Sequence, residues 1–271
     1  MLVSSLSAAA YAGGSVPVLE INGFLPTPEE LAVAAIDTYG HFTAMQVRNL
    51  RVRGLDLHLS RLASAHRELF GTSLDAELVR SHIRHALGAA LDGSVRVYVR
   101  QPEDRPSIMV TVRDPGDMPG EGRPWRLQSV PYQRAVAHIK RPNDFGQAYF
   151  QRRVMLDGFD EALLTGPGGL VCEGSVTNVG FIDGNRIVWP NAPALAGITM
   201  QLINLKFGRA GIEPERQEIR LSDIGKFGGA FVCNSRGIAL VGQIDDVAMP
   251  VDSRWMTMIT KVYESVEWDR I

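Results

Sequence analysis

The chain has 271 residues, 45% of them apolar and 21% charged, with a formal net charge of -2. That length accommodates two modest domains or one large one, and the composition is that of an ordinary globular protein. A near-neutral balance removes the electrostatic case for a nucleic acid or an anionic membrane as partner, and two cysteines, Cys172 and Cys233, make neither a disulfide framework nor a C-x-x-C metal pattern, so a reduced, cytoplasmic protein is the simplest expectation.

The opening stretch MLVSSLSAAAYAGG lacks the basic flank and unbroken apolar centre of a signal peptide, and reads as a frayed extension or a first strand. No run of about 18 apolar residues occurs, so no transmembrane helix is expected. LDLHLSRLASAHRELFG places Leu55, Leu59, Leu62, Ala65 and Leu69 at helical spacing, with Asp56 as N-cap and Gly71 as stop. LDAELVRSHIRHALGAALDG predicts a second amphipathic helix that ends near Gly93. VRVYVR, SIMVTVRD and WRLQSV follow as strands. Helices followed by strands predict an α+β unit up to about residue 130. The domain boundary is drawn there: a small N-terminal domain over 1–132 and a larger one over 133–271, joined by VPYQRAVAHIK.

The second half opens with a helix in DFGQAYFQRRVMLDG. DEALLTGPGGLVCEG gives two strands around a Gly-Pro-Gly-Gly turn, and NVGFIDGNRIVWP a hairpin at Asp183-Gly184. A helix from about Ile198 to Phe207, strands in GAFVCNS and IALVGQID, and a closing helix in DSRWMTMITKVYESVEW complete the chain.

Glu173 lies in VCEGSVTNVGF, a run that otherwise reads as buried strand and tight turn. A buried carboxylate needs a partner, because desolvating the charge is costly. An arginine inside the domain is one candidate. A protonated ring nitrogen is the other, and pyridoxal phosphate offers one. That cofactor also needs a lysine amine for a Schiff base. Lys140 is available at the end of AVAHIK, a strand-like run stopped by Arg141-Pro142, from where it can project into a cleft. LAGIT puts Gly197, Ile198 and Thr199 at a helix start, where free N–H groups and the helix dipole favour an anion and the Thr199 hydroxyl adds a donor. CNSRG offers Asn234 and Ser235 in a turn, and Arg61 a guanidinium suited to paired phosphate contacts. Taken singly, each of these is as easily a solvated lysine, a plain helix cap, a polar turn or a surface arginine.

In their order, HIKRPNDFGQAYFQRRVMLDGFDEALLTGPGGLVCEGSVTNVGFIDGNRIVWPNAPALAGIT resembles the core signature of the class IV, or fold type IV, pyridoxal-phosphate aminotransferases. That family includes branched-chain and D-amino-acid aminotransferases and 4-amino-4-deoxychorismate lyase. GHFTAMQVRNLRVRGLDLHLSRLASAHRELFG resembles its N-terminal part, and the resemblance spans roughly residues 20 to 250. It implies a small α/β domain followed by a larger β-rich α/β domain, a cofactor in the cleft between them, and a homodimer. Lys140 would carry the cofactor and move the substrate proton. Glu173 would pair with the ring nitrogen, and Asn178 would orient the Glu173 region. Arg61, Ile198, Thr199 and Ser235 would hold the phosphate. The implied function is amino transfer between an amino acid or amine and a keto acid. The lyase reaction is the alternative, and a binding protein that kept the fold is the alternative of another class.

The substrate half departs from the family. DTYGHFTAMQV is shortened before its strand, leaving Tyr39, His41 and Thr43 as the local polar candidates. Met200 stands where arginine is usual, VRVYVRQPEDRPS lacks the Arg-x-His pattern, and CNSRG replaces a Gly-Thr-Ala turn. His82 and His85, three apart, lack further metal ligands and read as surface histidines, and both cysteines read as small buried residues.

Overall fold

The computed structural model describes residues 18–119, 123–209 and 214–271, and all counts of elements refer to these. The opening stretch read as an extension or first strand lies outside them. The chain divides into two compact units, residues 1–116 with 269–271, and residues 117–268.

In the first unit, β1 (Val18–Ile21) is followed by α1 (Pro28–Ile36), β2 (His41–Val47), β3 (Arg51–Arg53), α2 (Leu55–Phe70), α3 (Ala76–Leu87), β4 (Gly93–Arg100) and β5 (Ser107–Arg113). Four strands form an antiparallel sheet in the order β1-β5-β4-β2. Alternation along β2 and β4 sends Met45, Val47, Val95, Val97 and Val99 to one side, where they pack with Leu62, Val79, Ile83 and Leu87 from the two helices. Asp56 does not cap α2. The N-cap is Gly54, two residues earlier and in the left-handed region (φ 69°), because Leu55 is buried and its N–H is taken by the Asp269 carboxylate at 2.9 Å. Asp269 lies in the terminal strand that pairs with β3. Gly71 (φ 71°) ends α2 as expected. Helix α3 stops at Gly88 rather than near Gly93, since positive φ at Gly88 breaks it and Gly93 already opens β4. Helix α1 was not expected. It buries none of its residues, so it shows no apolar stripe, and its signal is the capping box between Thr27 and Glu30.

In the second unit, β6 (Trp125–Val130) precedes α4 (Phe145–Leu156), β7 (Glu161–Gly166), β8 (Leu170–Gly174), β9 (Asn178–Asp183), β10 (Arg186–Pro190), α5 (Ile198–Arg209) and β11 (Glu215–Gln217). After these come β12 (Gly229–Asn234), β13 (Gly237–Ile244), β14 (Val247–Ala248) and α6 (Ser253–Glu264), and the chain then returns to the first unit in β15 (Trp268–Arg270), which pairs with β3. Nine strands form one mixed sheet in the order β11-β10-β9-β12-β13-β6-β7-β8, with β14 paired to β13. β6, grouped by sequence with the first-half strands, runs parallel to both β7 and β13 of this sheet. At one end of the sheet lies β11, exposed at every residue. At the other, β8 is covered by residues 219 and 220, with Val171 N–H on Ile219 O at 2.8 Å. The core on one side packs Phe181, Phe227, Val188 and Val241, and on the other Trp189, Phe231, Ile203 and Phe207. The fold is α+β, as the order of elements predicts. No described helix is long and apolar enough to cross a membrane.

His41 and Thr43 face inward onto α2. The Thr43 hydroxyl meets His58 Nδ1 at 2.7 Å. Thr72 donates to Gln101 Oε1 at 2.8 Å, so it accepts from His66 Nε2 at 3.0 Å, and His66 Nδ1 is the acceptor that faces His41 Nε2 at 3.5 Å. Burial, with His66 nearby, pushes His41 down to about 3 from the ordinary 6.5. An unfolded His41 binds its proton near pH 6.5 and the folded one only near 3, so the stability it contributes is present above about pH 6.5 and is lost as pH falls through that window. Replacing His41 by Phe, which suits a site beside Phe70, should shrink the drop in urea unfolding midpoint between about pH 7 and pH 5. An undiminished drop in the variant would assign that acid sensitivity elsewhere.

Candidate active site

Glu173, the penultimate residue of β8, has 4% of its surface exposed. Its Oε1 accepts from Arg134 Nε at 2.8 Å and its Oε2 from the Leu195 N–H at 3.0 Å. The partner that the sequence demands for this carboxylate is therefore present inside the unit, and it is an arginine. Arg134 is itself buried, and its guanidinium also donates to Ala137 O and to Ile139 O, the latter at 3.4 Å. One side chain thus ties Glu173 to the backbone just before Lys140. A carboxylate has about four lone-pair positions and two are taken here, which leaves capacity for a further donor.

The run that ends at Lys140 is a turn, not a strand. Residues 135–138 turn, Val136 has φ 50°, and Ile139 N–H bonds Val136 O at 3.0 Å. Alternation suggests a strand, but Arg134 gathers two carbonyls of the segment and curls it. Lys140 follows, half-buried, and Arg141 then pairs at 2.5 Å with Asp144, the N-cap of α4.

The other side of Glu173 is built from backbone. Leu195 gives its N–H to Glu173 and its carbonyl to Asn178 Nδ2 at 2.7 Å, so one residue bridges the end of β8 and the start of β9. Gly197 sits so close to Asn178 that a Cβ there would fall 1.9 Å from Oδ1. Only glycine fits without moving the asparagine. Ile198 and Thr199 follow as the first residues of α5, both buried, and N–H groups in a first turn have no acceptor within their own helix. The Thr199 hydroxyl spends its proton on Asn234 O at 2.7 Å, so an anion here would meet the backbone N–H groups instead. Asn234 ends β12, and Ser235 and Arg236 form the connection to β13. Asn234 Nδ2 reaches Val176 O at 3.2 Å, and its Oδ1 accepts from Arg236 N–H at 2.8 Å.

Lys140, Glu173, Asn178, Ile198, Thr199 and Ser235 therefore sit on segments of one unit linked by named bonds. Arg61 lies in the first unit, on α2, where burial lowers its guanidinium to about 10. His41 and Thr43 are packed inside that unit, and Tyr39 is exposed, its hydroxyl on Leu69 O at 3.3 Å. Sequence reasoning missed Arg134, which lies in a stretch read as a linker, and the backbone role of Leu195. Neither has a pattern of its own: one is a single cation in a loop, the other an apolar residue acting through its peptide groups. No group of three or more metal-ligating side chains occurs among the described residues.

The family model described as amino-transferase class IV matches residues 40–244. The chain belongs to that family. No curated protein sequence matches this class IV chain. Solved structures do. A hypothetical aminotransferase from Mycobacterium tuberculosis in its PLP-bound form is 18% identical, covers 92% of this chain and 98% of its own, and superposes with a TM-score of 0.78. The branched-chain aminotransferase of Thermoproteus uzoniensis, solved with norvaline, gives 18%, 91%, 93% and 0.78. A Legionella pneumophila chain assigned as a 4-amino-4-deoxychorismate lyase gives 19%, 85%, 92% and 0.74. At such identities the likeness is one of fold.

Arg134→Leu should strand Glu173 as a buried charge with one backbone N–H, at a cost of about 3–5 kcal/mol. Adding Glu173→Leu should recover much of that loss, because the uncompensated charge is gone. Urea unfolding of the two variants checks this. A single variant as stable as the parent would mean that the pair does not hold this region.

Proposed function

We propose that this chain is a pyridoxal-phosphate-dependent transaminase, moving an amino group between an amino acid or amine and a keto acid, with Lys140 as its catalytic residue. The observation that carries the reading is the shared Leu195 peptide. It places a buried carboxylate, an asparagine and a glycine-led helix start side by side, and Arg134 ties them to the segment of Lys140. The residues fit the cofactor. Glu173 keeps acceptor capacity for a ring N–H, and the first N–H groups of α5 suit a phosphate. Pyridoxal phosphate is the cofactor of class IV aminotransferases, and it is the cofactor of this chain. When bound it supplies an electron sink for charge that develops beside the substrate nitrogen.

The protein's part is then specific. Glu173 holds a proton on the ring nitrogen by ion pairing in a site screened from water, where such a contact is stronger than at a surface. Arg134 and Leu195 fix the carboxylate so that its orientation is set before the cofactor arrives. Asn178 holds Leu195 in place. Ile198 and Thr199 N–H groups and Ser235 bind the phosphate. Lys140 Nζ carries the cofactor and then takes and returns the substrate proton. The substrates are a small amino donor and a keto-acid acceptor, and the working form is a homodimer.

Purified protein incubated with pyridoxal phosphate should turn yellow, and borohydride should fix the label on the peptide that contains Lys140. Lys140→Ala should abolish both. Wild-type protein that stays colourless would overturn the reading in favour of a cofactor-free binding role. With cofactor bound, a panel of D- and L-amino acids with pyruvate or 2-oxoglutarate should show amino transfer. Pyruvate released from aminodeoxychorismate without an acceptor would make it a lyase instead.

A further inference from the structure

A second buried carboxylate, Glu161, takes no part in the steps above. It opens β7 with none of its surface exposed, and its partners come from the turn that follows Glu173. Ser175 Oγ is hydrogen-bonded to its Oε1, Val176 N–H reaches the same oxygen at 3.3 Å, and Thr177 Oγ1 lies 3.4 Å from Oε2. Gly174 N–H closes the turn on Thr177 O at 2.9 Å. A Cβ on Gly174 would fall 2.1 Å from Thr177 Oγ1 and 3.3 Å from Glu161. The segment between Glu173 and Asn178 is therefore moulded onto this one carboxyl group.

Counting protons assigns its state. Ser175 has one hydroxyl proton and two oxygens in reach, Glu161 Oε1 and Gln151 Oε1, the latter at 2.7 Å. The Gln151 amide cannot turn to help. Its Oε1 accepts from Ala162 N–H at 3.1 Å and its Nε2 donates to Asp160 O at 2.9 Å. Both contacts gain a proton only if Glu161 carries one, donates it to Ser175 Oγ, and Ser175 donates on to Gln151. With Glu161 ionised, one of the two oxygen pairs faces off with no hydrogen between. Burial pushes the carboxyl up to about 7, in the same direction.

The charged groups on the surrounding elements are engaged elsewhere. Asp160 pairs with Arg123 and takes the Arg126 N–H. The Arg126 guanidinium bonds Gln243 and Gly158 O and lies over Phe159, while Glu173 is held by Arg134. Arg152 and Arg153 on α4 are exposed. Among the described residues no cation pairs with Glu161.

We propose that Glu161 is a positioning residue for the active site, a neutral carboxyl donor that orders Ser175 and with it the turn carrying Glu173 and Asn178. The consequence for the cofactor rests on the reading that Glu173 meets its ring. Infrared spectra of the cofactor-free protein test the proton itself. At about pH 6 a protonated-carboxyl band should be present, fade as pH rises past about 7, and be missing in Glu161→Gln. No such band, or a band unchanged in the variant, overturns the assignment. Visible titration with pyridoxal phosphate tests the positioning. Glu161→Leu should weaken binding about tenfold or more, while Glu161→Gln, whose amide can donate as the acid does, should stay within about threefold of wild type. Glu161→Leu binding like wild type, or Glu161→Gln as weak as Glu161→Leu, overturns it; should the leucine variant not fold, the glutamine variant alone decides, and a tenfold loss there overturns the proposal. Glu173→Gln keeps the two readings apart: an unchanged cofactor spectrum in that variant removes the role of Glu173 while the infrared band still reports on Glu161.

Discussion

The ion pair between Arg134 and Glu173 is the contact from which the rest of the site is hung. Both groups are almost wholly buried, and taking two charges out of water costs more than a simple attraction returns unless other bonds complete their coordination. Here they do. Arg134 gives two further donors to the Ala137 and Ile139 carbonyls, and Glu173 gives its second oxygen to the Leu195 N–H. What such a pair contributes is geometry rather than net stability. Three stretches that are far apart in sequence, the turn before Lys140, the end of β8 and the loop before α5, are brought into register by one guanidinium and one carboxylate.

Around that pair the site is made largely of main chain. Leu195 works through its N–H and carbonyl, Gly197 through its lack of a Cβ, and Asn234 partly through its carbonyl, which accepts from the Thr199 hydroxyl. Peptide groups offer the same donors and acceptors whatever side chain they bear. Contacts of this kind set few demands on residue type at the positions that make them. The few positions under tight steric demand are those where a side chain approaches backbone, as Asn178 does at Gly197.

Much of the fold is legible from periodicity, because α2 and α3 each bury one stripe and the strands of both sheets alternate or run apolar through the core. The misreadings share a cause: local pattern overruled by distant contacts. Asp56 looks like a cap, yet the cap comes from Asp269, more than two hundred residues away. AVAHIK alternates like a strand, yet Arg134 bends it. Residues 76–92 read as one helix until Gly88 adopts positive φ. The site shows the same division. The burial of Glu173 and the helix start at Ile198 are readable from residue type and spacing, whereas Lys140 is singled out only by the family resemblance. The need of Glu173 for a cation is also readable. Which cation meets it inside the unit is not, since nothing in VPYQRAVAHIK marks Arg134 as buried.

The large sheet has two rims, and neither invites a foreign strand. On one, residues 219 and 220 already occupy the outer edge of β8. On the other, β11 is only three residues long and reads Glu-Arg-Gln, so any chain laid against it would have to accommodate charge in place of an apolar row. Growth of the sheet from molecule to molecule is thereby discouraged at both ends. Even when the protein is crowded, the edges of this sheet offer little template for fibrillar aggregation.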